Sequence, residues 1–136
     1  MKKINLLLMI FCVALLPACD SNKKLDQSNS EKVIKEFVRN NAFNGGGNWG
    51  QQGSFNESSI TSIEPISQFS ENDASQIVHF NYRDAFAGEN LSLKFNFKKN
   101  IDKHWMLISV TSVAGVGSDG MANRLQKWEN LNTMTQ

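Results

Sequence analysis

Two histidines, two cysteines and a carboxylate set among aromatic residues are the side chains from which a reactive centre would be built. His79 and His104 are far apart, and only Asp102, near His104, lies close to either, so no metal site is expected. Serines and acids are plentiful, but no Gly-x-Ser-x-Gly pattern marks a nucleophile. The stretch from Asn44 to Ser54 carries Gly45, Gly46, Gly47, Gly50 and Gly53 around Trp49. Although glycine loops can cradle phosphate, this one follows a predicted helix and lacks the lysine and hydroxyl residue of a P-loop. Asp84 shares the parity of the apolar residues in its segment, which makes it the best inward-facing acid. No reaction and no cofactor is named by these residues, and enzymatic activity is not expected.

The two cysteines point elsewhere. Lys2 and Lys3 precede an apolar run from Ile4 to Leu16 that only Asn5 interrupts, and Ala18 is the small residue expected before a signal cleavage. The run is shorter than the roughly 20 residues a membrane-spanning helix requires. Leu16-Pro17-Ala18-Cys19 resembles the lipobox of bacterial lipoproteins, with Pro17 departing from the usual second residue. That resemblance implies cleavage before Cys19, a diacylglyceryl thioether on its sulfur and an acylated new N-terminus, enough chains for stable anchoring. It also implies that Asp20 favours retention on the inner membrane, facing the periplasm, with the outer membrane as the alternative. Cys12 would be discarded with residues 1–18, so no intrachain disulfide is available to the remainder. Loss of Lys2 and Lys3 takes the formal charge of +1 to just below zero, which gives no reason to expect a nucleic-acid partner.

The organisation that follows is a signal peptide at 1–18, the lipidated cysteine and a polar tether at 19–28, and a single domain at 29–136. Asp20 to Gln27 would reach about 25 to 30 Å if extended. Ser28 and Glu31 have capping-box spacing, and Val33, Ile34, Phe37 and Val38 recur on one face of a helix predicted near 29–41. From residue 58 the period shortens to two. Val78, Phe80, Tyr82 and Phe86 alternate with polar residues, as do Leu91, Leu93, Phe95 and Phe97. A type II′ turn at Gly88-Glu89 would pair Phe86 with Leu91, Tyr82 with Phe95 and Phe80 with Phe97. The same register sets Arg83 opposite Lys94 and His79 opposite Lys98 on the outward face.

Flanking strands complete the sheet. Ser59 to Phe69 contains Pro65 and reads as an edge strand. Trp105 to Ala114 is apolar on both parities, with Met106, Ile108 and Val110 on one side and Trp105, Leu107 and Val113 on the other. A short C-terminal helix from about 119 to 131 would cover the second face. The expected fold class is α+β, an N-terminal helix packed on a four-stranded antiparallel meander. Its element order resembles the cystatin-like and NTF2-like domains, which implies no particular functional residues.

Three functions are compatible with this reading. The leading expectation is a non-enzymatic, lipid-anchored interaction or accessory module of the cell envelope, meeting a protein partner through Trp49, Trp105, Arg83, Lys94 and Lys98. The second is a small-ligand cup between helix and sheet, lined by Phe37, Tyr82 and Phe95 with Asp84 aimed inward. The third is an enzyme of unknown class, which would require Asp84 or a histidine in a cleft beside a hydrogen-bonded partner.

Overall fold

Among the described residues, an aspartate starts the long helix. In the computed structural model, which describes residues 23–44, 53–83, 88–115 and 133–134, helix α1 runs Gln27–Asn40. The Asp26 carboxylate accepts from the Asn29 N–H at 2.9 Å, placing negative charge at the positive end of the helix dipole. The expected cap at Ser28 is therefore displaced: Ser28 lies inside the first turn, and Glu31 accepts instead from the Gln27 side chain at 2.7 Å. The buried face is Val33, Ile34, Phe37 and Val38, joined by Ser30. The helix ends where the Asn41 backbone and side-chain N–H groups both donate to the Phe37 carbonyl.

A short stem follows. Strands β1 (Phe43–Asn44) and β2 (Ser54–Phe55) pair antiparallel, with Phe43 opposite Phe55 and their rings stacked at 5.2 Å. The glycine-rich residues 45–52, including Trp49, lie outside the described residues. A single 3-10 turn at Glu57–Ser59, capped by Asn56, leads into the main sheet. Arg39 clasps this turn to α1 through Glu57 at 2.7 Å.

The main sheet is antiparallel throughout. It contains β3 (Ile60–Ile63), β4 (Ser67–Gln68), β5 (Asp73–Arg83), β6 (Asn90–Lys99), β7 (Trp105–Ala114) and β8 (Thr133–Met134). The spatial order is β3-β5-β6-β7-β8, with β4 also pairing with β5. The expected edge strand is thus split into β3 and β4 about Pro65, which cannot donate to a ladder. Strand β8 was not anticipated, and the expected C-terminal helix lies outside the described residues. The fold class is α+β.

The central hairpin keeps its expected faces but not its expected register. Gln76 stands opposite Phe95, Val78 opposite Leu93 and Ala74 opposite Phe97, while Arg83 stands opposite Asn90 across a bulge. The shift is an even number of residues, so Val78, Phe80, Tyr82, Leu91, Leu93, Phe95 and Phe97 remain on the buried side. Alternation alone does not distinguish even shifts; the connection does, and it is longer than the two residues expected. The predicted like-charge pairs dissolve with the register. Lys94 is opposite Ile77, Lys98 opposite Asp73 and His79 opposite Ser92.

Two bulges re-aim β7. Ser109 pairs with Asn96 and Leu107 with Phe97, leaving Ile108 as the extra residue, so Val110 joins Trp105 and Leu107 on the core side. The same change of parity turns Val113, the extra residue of a second shift between Ser92 and Leu93, outward, where it is exposed instead of sharing the side of Trp105. Gly115 ends the strand at φ 77°, with its α-carbon so close to β6 that an added Cβ would sit 2.5 Å from the Asn90 carbonyl.

The core lies between α1 and the inner face of the sheet. Phe37 meets Phe95 edge-on at 5.6 Å, an arrangement worth about 0.5 to 1.5 kcal/mol beyond the area it buries. At the β1–β2 end, Phe55 packs on Phe80 and Phe43 on Tyr82.

Candidate functional site

One cluster has the constituents of acid–base chemistry. His79 on β5 and Ser92 on β6 face each other across the ladder, and His79 Nδ1 lies 2.8 Å from Ser92 Oγ. The other ring nitrogen, Nε2, lies 2.7 Å from Glu64 Oε1, a residue that follows β3 on the neighbouring edge. A neutral imidazole fits both contacts, with Nε2–H donating to the carboxylate and Nδ1 accepting from the hydroxyl. Carboxylate, imidazole and hydroxyl therefore stand in line.

Access decides what this line can do. Ser92 is 8% exposed and belongs to a central strand, between β5 and β7, so its oxygen does not meet a substrate carbonyl from solution. A nucleophile needs room for the reacting atom and donors for the oxyanion it creates. The cluster instead ties three segments together on the outer face of the sheet: β5, β6 and the residues leaving β3.

Among the described residues, the predicted contacts Arg83, Lys94, Lys98 and Trp105 do not gather into one patch. Arg83 is exposed and donates to the Gly88 carbonyl at 2.8 Å, within its own hairpin. Lys94 is half-buried with its ammonium 5.1 Å from the centre of the exposed Phe69 ring. Lys98 is exposed and 4.0 Å from Asp73 at the opposite end of the strands. Trp105, expected as an exposed anchor, is only 6% exposed. Its indole N–H donates to the Lys23 carbonyl at 3.0 Å, and the Lys99 ammonium lies 5.2 Å from the ring centre. A tryptophan at the start of an apolar strand is drawn inward unless its partner side is open. Trp49, Asp84 and Cys19 lie outside the described residues.

The expected cup is occupied by protein. Phe37 and Phe95 are in contact, Tyr82 is buried, and Val33, Ile34 and Val38 fill the rest of the α1 face. A shallow pocket of about 180 Å³ opens instead beside the β1–β2 stem, lined among the described residues by Ala42, Phe43, Phe55 and Asn56. That is below the roughly 300 to 1,000 Å³ of ordinary small-molecule sites. Among the described residues, no three His, Cys, Asp or Glu side chains converge as metal ligands.

Two arrangements escaped sequence reasoning. Gln76 is buried, with its Oε1 accepting from Ser30 Oγ at 2.8 Å and its Nε2 donating to the Glu64 carbonyl at 2.8 Å. The second is a seam at the N-terminal end. Leu25 is buried in the core, Lys23 is bonded to Trp105 and Asp26 caps α1, so the polar stretch taken as a tether is part of the fold from Lys23 onward. The single apolar residue in Asp20–Gln27 was the available signal.

No family model, curated protein or solved structure matches the chain. Among the described residues, no helix is long and apolar enough to cross a membrane.

Proposed function

We propose that this chain is a bacterial lipoprotein, anchored through acyl chains on Cys19, whose α+β domain serves as a non-enzymatic interaction or accessory module in the cell envelope. The observation that carries the reading is Leu16-Pro17-Ala18-Cys19 at the end of a short apolar run behind Lys2 and Lys3. Asp20 favours the periplasmic face of the inner membrane. The helix packed on an antiparallel meander is compatible with the cystatin-like group, an architecture that serves interaction modules as well as ligand cups. The filled helix–sheet interface favours a surface role over the cup, and the near-burial of Ser92 in the Ser92–His79–Glu64 line favours it over the enzyme.

Metabolic labelling with a fatty-acid analogue in a bacterial host tests the anchor. The wild-type chain takes up label and fractionates with membranes, and Cys19→Ser abolishes both. A purified native protein that begins at Met1, or a Cys19→Ser variant that keeps its label, overturns the reading. Photocrosslinking from position 49 and from position 94 then tests the module role, with a discrete stoichiometric adduct as the expected result.

A further inference from the structure

We propose that the end of the sheet bearing the β6–β7 turn docks directly on the anionic surface of the bilayer, with Ile101 entering the headgroup layer. The inference rests on the lipid anchor proposed above and adds an orientation to it. From Cys19 to the fixed Lys23 the chain has four peptide steps, which extend to about 14 Å at most. Lys23 is held to Trp105 at the first residue of β7, and Leu25, two residues on, is buried. An anchor at Cys19 would therefore hold this end of the sheet against the membrane.

What projects there suits a lipid surface. The turn between β6 and β7 is tightened by Asn100 N–H donating to the His104 carbonyl and Lys103 N–H donating to the Asn100 carbonyl. Ile101 stands at its tip, 94% exposed. Lys23, Lys24, Lys98 and Lys103 are exposed around the same end. The carboxylates nearby are Asp26, Glu71, Asp73 and Asp102. Asp26 is committed to the α1 N-terminus, and Asp73 is bonded to the Ser70 hydroxyl at 2.8 Å and faces Lys98. That leaves Lys23, Lys24 and Lys103 against Glu71 and Asp102, and an apolar tip beside an excess of ammonium groups is the pattern that anionic headgroups attract, because the side chain leaves water while the ammonium groups stay at the phosphate level. The opposite end of β5, around Asn81, lies about 25 Å away along the strand.

The test uses the full, lipidated chain in vesicles of phosphatidylethanolamine and phosphatidylglycerol. An environment-sensitive fluorophore is placed through Ile101→Cys or, at the far end, Asn81→Cys; both positions are exposed, and the acylated Cys19 offers no competing thiol. Mass spectrometry of the same sample reads the acyl chains. The expected result is quenching by headgroup-region nitroxide lipids about twofold or more stronger at 101 than at 81, reduced by Lys23→Glu with Lys103→Glu and by omission of phosphatidylglycerol. With acyl chains present, equal and weak quenching at both positions overturns the docking and leaves the anchor standing. A probe at 101 shielded from an aqueous quencher yet untouched by nitroxide lipid also overturns it, in favour of a protein contact. An unmodified Cys19 overturns the anchor and the docking together.

Discussion

Among the described glycines, Gly115 has the least room for a side chain. Its φ of 77° is one that residues with a Cβ rarely adopt, and the Asn90 backbone already occupies the space a Cβ would need. Gly115→Ala therefore meets both backbone strain and a clash with a strand that cannot retreat, because β6 is paired on its two sides. We expect a loss of about 2 kcal/mol or more, read as a lowered urea midpoint at unchanged slope. Gly88→Ala, where the φ is 70° but open space surrounds the site, should lose clearly less. Equal losses at the two positions would show that the contact with Asn90 is not what matters.

At the scale of elements, α1 is defined by its start as much as by its apolar face. Asp26→Ala removes the acceptor for the Asn29 N–H and should destabilise the protein by about 1 kcal/mol, whereas Ser28→Ala should be nearly neutral. The reverse ranking in thermal or urea unfolding would restore Ser28 as the cap. The helix face was legible because four apolar residues at helical spacing have only one way to be buried together. The faces of β5 and β6 were legible for the same kind of reason, since alternation marks a side. Their register was not, because any even displacement leaves the alternation intact and the longer connection was read as a two-residue turn. The basic patch depended on that register and went with it. The bulges at Ile108 and Val113 were hidden because a bulge adds a residue without changing composition.

For the molecule as a whole, the proposed processing would leave no cysteine free to form a cross-link. With residues 1–18 removed and Cys19 acylated, stability rests on the core between α1 and the sheet, and the urea midpoint should be the same with and without a thiol reductant. A midpoint that falls on reduction would mean that Cys19 is free to form a disulfide and that the proposed modification is wrong. The candidate site was less legible than the fold. The seam from Lys23 to Asp26 depends on one leucine in a polar stretch and on a carbonyl meeting an indole from far along the chain, and neither partner announces the other.

The stacked pair Phe43 and Phe55 has a further consequence for how this chain can vary. Because the stem brings together the two points between which residues 45–52 run, the length of that stretch is decoupled from the pairing of the main sheet. Doubling a loop closed in this way adds only about 0.6 kcal/mol of closure entropy. An epitope, a second small domain or a new pair of termini could be introduced there while the strands below kept their partners.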